Sequence, residues 1–415
     1  MDARQLAALE LAARAKITWS GKHWLVPSMS GTGNYRVEAG SKACTCDSFE
    51  LTGKACKHIL AVDIVRSRDA GLPAPELPKE DEKPKRKRPT YRQDWPNYNK
   101  AQTNEKRLFQ VLLADLCGTV EDPPRKTGRP PIPLRDQLFA AVFKVYSTLS
   151  GRRFACDLQA AREAGHIGTA PHYNSVFRVF DLVATHRLLH QLIALSAVPL
   201  KAVETTFAAD SSGFSTNRFG RWFDAKYGVD RTEAAWIKCH LMCGVNTHIV
   251  TAVELGKQHD GQMLPDLHAK TADTFTIKEV CADKAYLSRD ILELIDKDGG
   301  VPLIPFKVNS KPDKNGPVWE KLYHHFALRR EQFLARYHQR SNVESVFSMV
   351  KRKFGDGLRS KSFLALQNEA LAKILCHNLA VLVHEMYESG IVADFSGRAE
   401  EEADDEPRIL RFPGA

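Results

Sequence analysis

Residues 69–100 read DAGLPAPELPKEDEKPKRKRPTYRQDWPNYNK, and this run sets the plan of the whole chain. Proline and charge dominate it. Proline breaks helices and sheets, and a segment this polar has too little apolar surface to offset the entropy of ordering itself. The chain must therefore fold on either side, around more than one core. We read residues 67–100 as a basic, proline-rich linker. Its cluster KPKRKRP at 83–89 suits a solvated linker or loose phosphate contact, with nuclear targeting a minor reading.

The 415 residues leave room for two or three domains. A formal net charge of +9 favours a polyanionic partner. No apolar run approaches the roughly 20 residues of a membrane helix, and MDARQLAALELAARAK has no signal-peptide core. The expectation is a cytoplasmic protein with no membrane partner. Nine cysteines, an odd and uneven set, fit a reducing compartment.

Before the linker, residues 1–66 predict a compact ββα unit: strands in HWLVPS and YRVEAG around the turn MSGTGN, then a helix in KHILAVDIVRSR. Between strand and helix stands CTCDSFELTGKACKH, which sets Cys44, Cys46, Cys56 and His58 in the pattern C-x-C-x9-C-x-H. Thiolates and an imidazole in two close pairs suit a closed tetrahedral zinc site. Such a site supplies folding energy to a unit too small to stabilise itself. The pattern resembles the SWIM zinc finger at all four positions, which implies one structural zinc and a role in binding nucleic acid or protein. Cys239, His240 and Cys243 look superficially alike, but they read as strand residues.

After the linker the chain changes character twice. Residues 101–200 predict amphipathic helices, with a basic corner GRR at 151–153 and a helix-turn-helix-like, DNA-binding plan. The GRP at 128–130 reads as a hinge rather than a minor-groove insert. Residues 201–390 predict an α/β arrangement, antiparallel strands first and strand–helix alternation later. Residues 391–415, with AEEEADDEP, predict an acidic disordered tail.

Within the α/β part, Asp210 closes the apolar run ETTFAAD and Asp283 closes FTIKEVCAD, each at the expected end of a central strand. One such acid is ordinarily a turn former. A third, Glu344, sits in the basic stretch RYHQRSNVESVFSMVKRKFG. On one helix, Tyr337, Arg340, Glu344 and Lys351 would fall within roughly 60° of one another. Three carboxylates can hold two divalent cations, the arrangement that serves an in-line phosphoryl displacement. A solvated, salt-bridged face is the alternative for that helix. Trp222, Tyr227 and Trp236 read as core residues, with base stacking the other reading. Asp224 and Asp230 read as surface turns, and Asp290 and Glu293 as capping or solvated acids.

Y-x2-R-x3-E-x6-K matches RYHQRSNVESVFSMVK at all four positions, and this part of the chain resembles the DDE transposases of bacterial insertion sequences. FAADSSGF and CADKAYLS resemble that group's first and second aspartate motifs, in order. The resemblance spans about residues 130–385. It implies a ribonuclease-H-like domain, a mixed five-stranded sheet flanked by helices, with Asp210, Asp283 and Glu344 holding two Mg²⁺ or Mn²⁺. It implies Tyr337, Arg340 and Lys351 as DNA contacts, double-stranded element ends and target DNA as partners, and a homodimer or higher assembly on DNA. Two departures stand out: Ala285 occupies a place where the group often has glycine, and only 60 residues (284–343) separate Asp283 from Glu344. The rivals are a catalytically silent DNA-binding regulator on the same fold, and a nuclease that cuts without joining.

Overall fold

The structure is a computed structural model that describes residues 3–28, 33–39, 42–71, 94–122, 130–216, 236–393 and 395. The basic cluster 83–89, Gly128, Arg129, Trp222, Asp224, Tyr227, Asp230 and the acidic run 399–407 lie outside the described residues. The chain divides into two compact units, Met1–Arg92 and Gln93–Ala415. Among the described residues, no helix is long and apolar enough to cross a membrane.

The first unit contains α1 (Ala3–Arg14), β1 (Thr18–Trp19), β2 (His23–Pro27), β3 (Asn34–Glu38), α2 (Asp47–Thr52) and α3 (Lys57–Asp69). This is richer than the ββα unit expected. The added helix α1 buries Ala8, Leu11 and Ala12, spaced as one helical stripe, against the apolar side of α3. The three strands form an antiparallel sheet in the order β1-β2-β3. Register pairs Trp24 with Val37 and Val26 with Tyr35, so these alternate residues share the core face.

The second unit is built on a mixed five-stranded sheet. β4 (Thr206–Ser215), β5 (Trp236–Gly244) and β6 (Val250–Leu255) run antiparallel, while β7 (Glu279–Ala282) and β8 (Val301–Leu303) pair parallel, giving the order β6-β5-β4-β7-β8. Five helices precede the sheet: α4 (Trp95–Gly118), α5 (Leu134–Ser147), α6 (Gly151–Glu163), α7 (Tyr173–Arg178) and α8 (Val183–Ala197). α9 (Asp260–Ala272) joins β6 to β7, and α10 (Arg289–Lys297) joins β7 to β8. Then come α11 (Pro317–Leu328), α12 (Arg330–Tyr337), α13 (Ser341–Phe354) and α14 (Phe363–Glu388). α4 starts at Trp95, inside the stretch read as linker, because Asp94 accepts the Asn97 amide at 3.2 Å and Pro96 suits a first turn.

The helices at 95–200 share one hydrophobic core with the sheet. The element that joins them is α14, which packs against α4, α5, α8, β5 and β6. Its apolar residues are buried on nearly every side, and its buried polar residues fasten neighbouring segments. Asn368 donates to Phe180 O at 2.8 Å. Glu369 accepts the amides of Arg359 and Ser360, and Lys373 donates to Gly355 O and Gly357 O at 2.8 Å each. Asn378 accepts the Val250 amide at 2.9 Å and donates to Val250 O and Ser196 Oγ at 2.7 and 2.9 Å. The outer edge of β6 is thereby paired by a side chain rather than left open.

Replacing Asn378 with alanine strands both polar groups of Val250 in the core. We expect a loss of about 3 kcal/mol, the scale of a few buried unsatisfied groups, read as a lower denaturant midpoint.

Candidate active site

Strand register brings the two aspartates together. The parallel pairing of β4 with β7 runs from Thr206↔Glu279 to Ala209↔Ala282. The next residue on each strand is an aspartate, so two carboxylates leave neighbouring strands at one level. β7 stops there, and Asp283 caps a 3₁₀ turn, Lys284–Tyr286, by accepting the Ala285 amide. β4 continues to Ser215 alongside β5. The strand end expected at Asp210 is therefore the middle of a strand; what ends there is its parallel partner.

Alternation sets Asp210, Ser212 and Phe214 on one face of β4, and α13 packs on that face. Arg340 Nη1 donates to Asp210 Oδ2 at 3.1 Å, and its Nη2 donates to Glu344. Farther along, Lys351 Nζ donates to Ser212 Oγ at 2.7 Å and lies 5.6 Å from the Phe214 ring. Glu344 itself is more than half exposed. It stands in the first turn of α13, where a helix N-terminus favours negative charge.

The single helix expected across 336–355 is instead broken. α12 ends at Tyr337, a 3₁₀ turn takes His338–Arg340, and α13 begins at Ser341. The Ser341 hydroxyl donates back to His338 O at 3.0 Å, a local bond that competes with a regular helix. Tyr337 belongs to α12, half-buried and stacked 6.2 Å from Phe333. Arg340 therefore leads α13 rather than sitting within a longer helix, and from there it reaches both carboxylates.

The charges agree with the grouping. Burial pushes the Asp210 carboxyl above its ordinary range; the Ser211 amide and Arg340 pull it down, while Asp283 and Glu344 push it up. All three acids thus share one field. Burial likewise raises the Tyr337 phenol, with Arg340 opposing and Asp283 adding to the rise. The oxygen donors and their surplus negative charge suit hard divalent cations. They are held less tightly than a closed metal cage, since Arg340 stands between Asp210 and Glu344.

On the opposite face, Ser211 Oγ donates to Asp260 Oδ1 at 2.8 Å, and Lys238 Nζ approaches the same oxygen at 2.7 Å. The fully buried His240 lies 3.2 Å from it. Burial works against the charged Asp260, but Lys238 and Ser211 hold its carboxyl below the ordinary value. Sequence reasoning passed over Asp260; its signal was an acid opening the helix after strand β6. Also unforeseen is Tyr286, buried beside Asp260, Asp210 and Asp283, with no hydrogen-bond partner for its hydroxyl among the described residues.

Other expectations fall as follows. Cys239, His240 and Cys243 are buried strand residues of β5. Trp236 is not a core residue: it is 54% exposed and lies over Gly213, where a Cβ would meet its ring at 2.4 Å. Asp290 and Glu293 are exposed on α10, and the cap of that helix is Ser288, which accepts the Ile291 amide.

In the first unit, Cys44, Cys46, Cys56 and His58 are all buried, with ligand atoms within 4.8 Å of one another; among the described residues no other such group occurs. His58 presents Nδ1, 3.7 Å from Cys44 Sγ and 3.8 Å from Cys56 Sγ. Tyr35 stacks on its ring at 4.3 Å and fixes its orientation. Cys46 and Cys56 are the N-caps of α2 and α3, where helix N–H groups favour thiolate. Hydrogen bonding with Cys44 pulls the Cys56 thiol well down, and the same bond pushes Cys44 up. The donor set and spacing fit a structural zinc ion.

Residues 201–379 match the family described as the transposase DDE domain, and residues 35–62 match the SWIM zinc finger. No curated protein matches the chain. The mixed five-stranded sheet with its flanking helices is the ribonuclease-H-like architecture of such a domain.

Two measurements bear on these sites. Metal analysis should find one zinc per chain, and Cys56→Ser should lose it together with the cooperative melting of the first unit. In chelator, Asp210→Asn should melt above wild type at neutral pH. A carboxyl raised in the folded state stabilises only while protonated, and that stability is lost as pH rises through the folded value. The difference should therefore shrink as pH falls through the raised folded value, and be smallest once pH is below the ordinary aspartate range.

Proposed function

We propose that this protein is an active DNA transposase, which cuts the ends of an insertion sequence and joins them to target DNA. The observation that carries the reading is that Arg340 bonds both Asp210 and Glu344, while Asp283 follows the end of the strand paired beside Asp210. In this reading the three carboxylates hold two Mg²⁺ or Mn²⁺ ions. When bound, the metals stabilise the charge that builds on the attacking and leaving oxygens of a phosphodiester.

The chain's own groups hold the substrate in line. Arg340 offsets surplus negative charge beside the carboxylates, and its planar guanidinium suits a DNA phosphate equally well. Lys351, tied to Ser212 on the catalytic strand, fixes a second phosphate at a set distance from Asp210. Tyr337 offers a half-buried phenol on the same side. Trp236, half exposed over Gly213, presents a ring face on which a base can stack. The DNA is double-stranded at both the element end and the target. Two ends cut in one complex call for a homodimer or larger assembly, acting in the bacterial cytoplasm on the nucleoid. The zinc finger serves binding, to the element's ends or to a partner subunit.

The test is a plasmid bearing the flanking terminal repeats, incubated with the protein and Mg²⁺ or Mn²⁺. Glu344→Gln should cut excision and joining at least about 100-fold, the scale of removing one charge-stabilising group, while DNA binding persists. Full activity in that variant removes Glu344 from the site. Binding without any cleavage by wild type identifies a regulator instead.

A further inference from the structure

Lys144 is the one charge in the apolar run LFAAVFKVY of α5. It is 6% exposed, yet its ammonium has no hydrogen bond or ion pair among the described residues. It lies over two rings, Phe177 at 5.8 Å and Phe154 at 5.9 Å. A charge carried on a buried stem to a place between two ring faces calls for an explanation. Burial pushes the amine down to about 8, Arg359 adding to the effect and Glu369 opposing it.

The ammonium faces a small cavity of about 40 Å³ between α5, α7 and the loop that joins α13 to α14. Arg359, Ser360, Glu369 and Lys373 line it beside the ring of Phe177. Its charged lining is three cations to one carboxylate. Glu369 spends its oxygens on the amides of Arg359 and Ser360, and Lys373 donates to two loop carbonyls. Arg359 gives Nη1 to Thr148 O at 3.0 Å. Lys144 is left to meet whatever enters.

Size selects the class of ligand. At about 10–15 Å³ per water, the space holds about three water-sized atoms. That admits the oxygens of a phosphate group and is too small for a nucleobase. The surroundings select its source. α6 opens at the cavity's edge: Gly151 packs so closely on Phe177 that a Cβ would sit 3.1 Å from the ring. No side chain caps this helix N-terminus, and Arg152 and Arg153 follow it, both exposed. The loop on the other side is bound to the catalytic strand, with Leu358 N donating to Ser215 O at 2.8 Å. The cavity thus opens between a basic helix start and the end of the strand that carries Asp210.

We propose that this cavity seats one backbone phosphate of the bound DNA, held by Lys144 and Arg359. The site lies apart from the carboxylates and rests on the transposase reading only in taking DNA as the polyanion. It gives the basic corner GRR a role: Arg152 and Arg153 flank the seated phosphate, and the α6 N-terminus faces the same strand.

Three measurements on the full-length protein test it. For duplex DNA, the slope of log affinity against log salt should fall by about 0.9 in both Lys144→Met and Arg359→Gln, because each substitution leaves one phosphate without its cation. Lys144→Met should melt at or above the wild-type temperature, since a site lysine retained for binding is not required for packing. Acetylation of Lys144 in wild type, mapped by mass spectrometry, should be suppressed by duplex DNA and not by equivalent inorganic phosphate. Unchanged slopes with DNA bound, or equal labelling with and without DNA, overturn the proposal. Protection by inorganic phosphate alone replaces it with a free-anion site. If wild type binds no DNA, the transposase reading falls first; slopes unchanged in a DNA-binding wild type remove this inference alone.

Discussion

The geometry of the candidate site depends on where one parallel pairing stops. β4 and β7 share four register pairs, and the residue after the fourth is an aspartate on each side: Asp210 within β4, and Asp283 just past the end of β7. Backbone hydrogen bonding therefore sets the distance between the two acids, which side-chain packing alone would hold far less firmly. The continuation of β4 past Asp210 matters as much. It carries Ser212 and Phe214 outward on the same face, and these are the residues that Lys351 engages. β4 is at once the source of one carboxylate and the footing for the helix that delivers another.

Three acids gathered on that footing repel one another, and the chain's answer is Arg340. It bonds Asp210 and Glu344 together, from a 3₁₀ turn that a continuous helix would not provide. The same side chain can serve DNA, metal-loaded carboxylates or the carboxylates alone, because each presents oxygen atoms to a fixed planar fork. Burial, Asp283 and Glu344 all push the Asp210 carboxyl up, so its charged form is held at a cost that Arg340 only partly offsets.

Much of this was legible in the residues. The zinc ligands were readable because covalent spacing alone limits which four side chains can meet. The acids drew attention because a lone carboxylate among cations, at Glu344, is unusual in itself, although Asp210 lies within its strand rather than at the expected end. What escaped was tertiary. At the break over 338–340 a serine hydroxyl bonds a nearby carbonyl, a local feature that periodicity does not register. Asp260 escaped because an acid at a helix start has an ordinary local explanation, and only the fold sets it against Ser211. Trp236 escaped because a tryptophan beside an apolar strand looks like core until Gly213 shows which side it lies on. The separate helical domain expected at 101–200 dissolved into one core for the same reason: α14 arrives from 160 or more residues away to complete it.

That last helix has a kinetic consequence. Gln102 meets His384 across 282 residues of chain, and Asn378 completes hydrogen bonds to α8 and β6. On the ribosome the zinc-binding unit has all its ligands early and can fold as soon as it emerges. The second unit cannot close its core until α14 is free of the exit tunnel, so its strands wait without their final support. Synthesis thus releases a finished small domain ahead of a large unfinished one, and the sheet that sets Asp210 beside Arg340 takes its final form late, in a single cooperative closure.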